Sequence, residues 1–216
     1  MVFHLARLFI APLGFHEDFI LRSLISLRIT RGDLVYVVTC SPITGAVKRA
    51  YDGLTATLTR QGLPQPLLVE VNCGDFYGSF KKVRELVANL KPEQVFFCSG
   101  GGLRALTLTI LLALVSLKKP FTVHYEAESG IEGFTVKPEF FLNLFSEPSE
   151  KELLALKAVI SKPGISVKEL SEVLGVKEKT ARNIVTRLKN RGLVTKKGRR
   201  EGVEPTEVAL ALYSGL

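Results

Sequence analysis

The sequence predicts an α/β fold, a doubly wound and mostly parallel sheet, followed by a smaller α-rich domain. Three observations predict it. Through residue 125, short runs that are apolar throughout alternate with stretches of helical period, as expected of strands buried on both faces and crossed over by helices. After Ser146-Glu147-Pro148-Ser149 the pattern becomes almost wholly helical. Positive charge gathers in that second part, where residues 149–216 carry 14 Lys/Arg against 8 Asp/Glu, while residues 1–148 carry 15 against 13.

The elements follow in order. Leu5 to Ala11 is a strand, and Pro12 to Glu17 a loop. Asp18 to Ile29 is a helix that stops at Thr30-Arg31-Gly32. Leu34 to Cys40 is a second strand, rich in β-branched residues, and Ala46 to Arg60 a helix closed by Gln61-Gly62. Leu67 to Cys73 is a third strand, and Tyr77 to Leu90 a helix with Val83, Leu86, Val87 and Leu90 at helical spacing. Gln94 to Ser99 is a fourth strand, Gly102 to Lys118 a helix that is apolar nearly all round, and Phe121 to Tyr125 a fifth strand. Gly133 to Val136 adds an edge strand. Right-handed crossovers then give a Rossmann-like sheet over residues 1–145.

Residues 146–216 form the second domain. Ser149 with Glu152, and Ser166 with Glu169, have the spacing of capping boxes. The first helix presents Leu153, Leu156 and Ile160 and ends at Pro163-Gly164; the second presents Val167, Leu170 and Leu174 and ends at Gly175. The third, Glu178 to Asn190, buries Ala181, Ile184, Val185 and Leu188 and stops at Arg191-Gly192. Leu193 to Lys197, a turn from Gly198 to Gly202, and a return at Val203-Glu204 complete a basic hairpin. Three short helices and such a hairpin make a winged helix-turn-helix.

Composition excludes several classes. The chain of 216 residues has a formal charge of +8 and no low-complexity tract. The longest apolar stretch, Ala105 to Leu117, is too short to span a bilayer, and Arg7 and His4 interrupt the N-terminal apolar run, so neither membrane span nor signal peptide is expected. Cys40, Cys73 and Cys98 are odd in number and form no CxxC pair, so reduced thiols in a cytoplasmic protein are expected. His4, His16 and His124 lack metal-ligand spacing, and neither a metal nor a cofactor is expected.

The third helix of the second domain sets Lys179, Thr180, Arg182, Asn183, Thr186, Arg187 and Asn190 against its apolar stripe. Arg and Asn read guanine and adenine edges through paired hydrogen bonds, and Lys and Thr hold phosphates, so this face suits double-stranded DNA. The hairpin adds Lys196, Lys197, Arg199 and Arg200. In the first domain, the usual strand order puts a crevice between strands one and four, where Pro12 to Glu17 meets Ser99 to Arg104. Three consecutive glycines, a helix N-terminus and an arginine favour an anion there. The spacing matches neither the dinucleotide fingerprint nor a P-loop.

The run SVKELSEVLGVKEKTARNIVTRLKNRGLV, Ser166 to Val194, resembles the winged helix-turn-helix of archaeal and bacterial regulators. With GFHEDFILRSL after strand one and SGGGLRAL after strand four, the chain resembles archaeal CRISPR-associated transcriptional regulators, whose N-terminal half is a CARF (CRISPR-associated Rossmann fold) domain. The resemblance implies a homodimer with a pocket on its two-fold axis that binds a cyclic oligoadenylate, cyclic tetra-adenylate. Carried over by motif position, the ligand-binding residues are Leu13, Gly14 and Phe15, then Ser99, Gly100, Gly101, Gly102, Leu103 and Arg104, with Ser41 after strand two. On this reading the protein is a ligand-responsive regulator and not an enzyme. The alternative is a ring nuclease that cleaves the ligand, with His16 or His124 as base and Arg104 or a lysine as the stabilising cation.

Overall fold

A computed structural model describes residues 7–127, 132–196 and 202–215. Six strands form one sheet in the order β3-β2-β1-β4-β5-β6. They are β1 (Leu8–Pro12), β2 (Leu34–Cys40), β3 (Leu67–Val71), β4 (Val95–Ser99), β5 (Thr122–Tyr125) and β6 (Phe134–Val136). All neighbours pair in parallel except β5 and β6, which run antiparallel. Every residue of β1 is buried, which is why it reads as an unbroken apolar run. The helices are α1 (Asp18–Ser26), α2 (Gly45–Arg60), α3 (Phe76–Leu90) and α4 (Arg104–Ser116).

One core packs Ile20 and Leu24 of α1 and Val47, Leu54 and Leu58 of α2 against Phe9, Val35, Val37 and Cys98 of the strands. Arg7 and Asp33 tie the starts of β1 and β2 at the rim, with Arg7 Nε donating to Asp33 Oδ1 at 2.9 Å and a second guanidinium N–H donating to Oδ2 at 2.6 Å. Burial pushes the Asp33 carboxyl up, but hydrogen bonds from Arg7 and Thr30 outweigh it and hold it below the ordinary value.

The compact units divide between Pro138 and Glu139, earlier than the 145/146 boundary expected from sequence. The difference is α5 (Pro138–Phe145), which sequence analysis did not anticipate. Proline at its first position is preset for a helix. The second unit continues through α6 (Glu150–Ser161), α7 (Val167–Val173), α8 (Glu178–Asn190), β7 (Val194–Thr195), β8 (Glu204–Pro205) and α9 (Glu207–Tyr213). Its core gathers Leu156, Val159, Leu170, Ile184, Leu188 and Leu193, and Thr206 caps the unanticipated α9. No described helix is long and apolar enough to cross a membrane.

The expectation of three reduced thiols is corrected. Cys40 and Cys73 form a disulfide with Cα atoms 5.4 Å apart, and only Cys98 is free. β2 and β3 run side by side with Cys40 opposite Val71, so residues 33 apart in sequence meet at one end of the sheet, which spacing alone does not reveal. Burial pushes the Cys98 thiol up to about 12. A cross-link closing a loop of this length is worth about 3–4 kcal/mol by the chain-entropy estimate. Cys73→Ser should therefore unfold at lower denaturant by an equivalent amount, and reductant should lower the wild type and leave the variant unchanged. Equal midpoints for the two proteins without reductant would contradict the bond's contribution.

Candidate functional site

β1 and β4 are neighbours whose following helices leave in different directions, so the crevice at their carboxyl ends is the switch point of the sheet. The loops after them touch through their backbones. A Cβ on Gly14 would lie 2.7 Å from Gly102 Cα, and one on Gly102, whose φ is +82°, would lie 2.8 Å from the Pro12 carbonyl oxygen. Gly100 likewise needs a positive φ and presses against the Glu126 carbonyl. The glycine run is thus a steric requirement of the crossing.

A cavity of 230 Å³ opens there, lined by Gly14, Phe15, His16, Phe19, Val47 and Gly100 to Leu103. Eight of its residues come from the two loops and the first turn of α1; Val47 comes from α2. Neither α1 nor α4 has a side-chain cap, whereas Thr44 caps α2 and Asp75 caps α3. No side chain therefore covers the first N–H groups of α4, those of Arg104 and Ala105, while the Leu106 N–H turns back to the Leu103 carbonyl at 3.0 Å; a terminus of this kind suits an anion. Arg104 is exposed at that terminus and has no hydrogen bond or ion pair among the described residues.

Several expected residues sit elsewhere. Leu13 is fully buried in the core and offers no side chain to the cavity. Ser41 is exposed after β2 and does not line it; its N–H donates to the Val71 carbonyl. Ser99 begins the glycine loop and accepts from the Glu126 N–H at 2.7 Å. Phe19 and Val47 were missed as lining residues, and His16, expected only as a base in the ring-nuclease alternative, lines the cavity as well. Helical spacing after the first loop could have suggested Phe19, but Val47 needed the fold. His124 has both ring nitrogens engaged, by Thr135 Oγ1 at 2.9 Å and Glu126 Oε2 at 3.3 Å, so it is not poised as a free base. No group of three or more His, Cys, Asp or Glu able to hold a metal occurs among the described residues. A separate apolar cavity of 130 Å³, between Val95 and Phe121, lies at the opposite ends of the strands.

In the second unit, Lys179, Thr180, Arg182, Asn183, Thr186, Arg187 and Asn190 are all exposed on α8, opposite buried Ala181, Ile184, Val185 and Leu188. Two of the arginines are engaged. Arg182 pairs with Glu178 at 2.6 Å on the exposed face. Arg187 Nε donates to Glu152 Oε1 on α6 at 2.7 Å, so the expected base reader also holds α8 to α6. Lys196 is half-buried after β7, and Lys197, Arg199 and Arg200 lie outside the described residues.

The far end of α8 is held by α5. Asn143, buried, donates to the Arg191 carbonyl at 3.0 Å, and Arg191 Nε donates back to Asn143 Oδ1 at 3.0 Å. Arg191 also donates to the Ser146 carbonyl. Burial pushes the Glu152 carboxyl up, but hydrogen bonds from the Ser149 N–H and hydroxyl and from Arg187 overcome this and hold it below the ordinary value.

Residues 7–137 match the family model of the Csa3 CRISPR-associated Rossmann-like domain, and residues 149–195 match a winged helix-turn-helix DNA-binding model. A Csa3 protein of Saccharolobus solfataricus, whose name ties it to a CRISPR locus and proposes DNA binding, is 29% identical over 94% of this chain and 85% of its own. Among solved structures, protein VC1899 of Vibrio cholerae aligns over 97% of this chain with 14% identity and a TM-score of 0.43. Can2 of Sulfobacillus thermosulfidooxidans, solved in complex with cyclic tetra-adenylate, aligns over 97% with 8% identity and a TM-score of 0.43. The chain spans 64% of the length of each of those two, and likenesses so loose do not bear on its activity.

The loop crossing makes Gly102→Ala costly, by roughly 1–3 kcal/mol for a strained backbone. Gly32→Ala, where a Cβ meets nothing within 4 Å, is the control. Equal denaturation midpoints for the two variants would argue against the crossing.

Arg187→Ala should lower the stability of the second unit by about 1 kcal/mol, the value of a charge-assisted bond discounted because Arg187 is 57% exposed. Because the folded pKa of Glu152 is depressed, that contribution is full above pH about 4.5 and fades as pH falls through the folded value. Thermal unfolding of wild type and variant from pH 7 to pH 3 should show the gap closing. A gap that stays constant would mean the pair is not its source.

Proposed function

The chain belongs to the Csa3 CRISPR-associated Rossmann-like domain family, and from that premise we propose that it is a ligand-responsive transcriptional regulator of CRISPR-associated genes. Its winged helix binds double-stranded DNA, and a homodimer of its Rossmann-like domains binds a cyclic oligoadenylate, cyclic tetra-adenylate. It acts in the cytoplasm, without a metal or cofactor. The observation that carries the reading is the pairing, on one chain, of an uncapped glycine-lined crevice with an exposed cationic and amide face on α8.

The cavity supports the dimer. At 230 Å³ it is smaller than the ~300–1,000 Å³ of drug-sized ligand sites, so one chain encloses only part of a ring of several nucleotides. A two-fold axis at the crevice would supply the same donors again. α4 begins there, and Leu103, Leu108 and Leu112 are exposed along it, which suits an apolar contact between copies. A second reading, ring cleavage, is favoured by His16 alone, which lines the cavity and could take the proton of a ribose 2′-OH.

One experiment tests these readings together. The full chain, a dimer by light scattering, is titrated with a duplex selected from a randomised pool, with and without saturating cyclic tetra-adenylate at fixed salt. Affinity for DNA should change by about 5–150-fold, the usual range of coupling between sites. Bound ring recovered intact supports a sensor, and linear product supports cleavage. A protein that retains the ring but gives superimposable DNA curves is not ligand-responsive, and a monomer excludes the shared pocket.

A further inference from the structure

We propose that Arg22 is a further anion-binding residue of the crevice, held in reserve by Glu126 until an anionic ligand takes the carboxylate's place. This rests on the nucleotide-binding reading above. Arg22 lies one turn beyond Phe19 on α1, and its guanidinium carbon sits 5.0 Å over the Phe19 ring. Phe19 forms the cavity wall and packs against Gly101, where a Cβ would lie 3.0 Å from its ring. The cation is therefore one aromatic ring away from the cavity.

Its present partners hold it loosely. Nε is 3.5 Å from Glu126 Oε1, and a terminal N–H donates to the Ala127 carbonyl at 3.5 Å. Both exceed the 2.7–2.9 Å typical of a charge-assisted bond, which the Arg7–Asp33 pair of the same sheet approaches or betters. The Arg22 side chain is 46% exposed, and such a pair contributes little. A phosphate offers a planar guanidinium two parallel bonds, the stronger arrangement.

Glu126 does not lose its last partner in the exchange. His124 Nε2 lies 3.3 Å from its other oxygen, and the two side chains are only 12% and 19% exposed. The Glu126 backbone stays bonded to Ser99, at the start of the glycine loop. The carboxylate is fixed beside the loop while the arginine on the neighbouring helix is free to turn. The two charges thus act on a bound anion with opposite sign.

That opposition is the test. Retention of labelled cyclic tetra-adenylate, and protection from thermal unfolding by inorganic triphosphate, are measured for the full chain and for Arg22→Gln, Arg22→Lys and Glu126→Gln. Arg22→Gln should weaken binding of both probes about 10-fold or more, Arg22→Lys should recover part of the loss, and Glu126→Gln should tighten binding about 3-fold. The unfolding midpoint of each variant without probe shows that it is folded. Wild-type affinity in Arg22→Gln, or weaker binding in Glu126→Gln with an unchanged midpoint, overturns the proposal. Triphosphate protection that depends on Arg22, without ring retention, upholds the proposal and removes the ring as ligand. A wild type that binds neither probe overturns both.

Discussion

Two polypeptide loops cross at the carboxyl ends of β1 and β4 with no room for a side chain between them, and the functional end of the first domain is built around that crossing. Because Gly14 abuts Gly102 and Gly102 abuts Pro12, a side chain at either glycine would push the two loops apart. The crossing aims the start of α4 into the cavity and brings Phe19 against Gly101. It also explains why α4 lacks a capping side chain: Leu103, at the capping position, projects at the cavity edge instead. The first turn of α4 is left without a side-chain cap, a kind of terminus that suits an anion.

The second unit uses side chains where the first uses backbone. Its α8 carries an exposed basic face, and polar pairs fasten its C-terminal end. Arg187 reaches Glu152 at the start of α6, and Arg191 exchanges hydrogen bonds with Asn143 of α5. Glu152 is nearly buried and serves two purposes, since it also receives the Ser149 N–H and hydroxyl that begin α6. A surface helix held this way has its C-terminal end fixed against α5 and α6.

The sequence was most legible where one face alone decides the structure. The parallel strands appear as apolar runs, α8 as a stripe of Ala181, Ile184, Val185 and Leu188, and the box at α7 as Ser166 with Glu169. Legibility failed where partners are distant in sequence. Cys40 and Cys73 meet only because β2 and β3 pair, and Val47 joins the cavity only because α2 packs beside β1. Arg187 lies on the polar side of its wheel as expected, yet its partner is a residue 35 positions earlier that also looks like an ordinary cap. Leu13 shows the converse: a residue can sit in the right motif and still point into the core. α5 escaped because its exposed positions are leucines, Leu142 and Leu144, while the polar Asn143 is the buried one, bonded to Arg191, so its inner and outer sides do not differ as polar and apolar.

The reciprocal bonds between Asn143 and Arg191 have a consequence for how such chains recombine. A DNA-binding module cut at Ser146, where composition changes, would leave behind the amide that satisfies the end of its own recognition helix and would expose the Arg191 carbonyl and guanidinium together. The compact unit that holds both partners begins at Glu139, within the first turn of α5, so a portable piece has to carry that helix whole. A gene fusion that kept this unit whole would place its junction before α5, in the short segment that follows β6. The seam between the two halves of the protein is therefore narrower, and lies earlier, than the stretch of serine, glutamate and proline that resembles a linker.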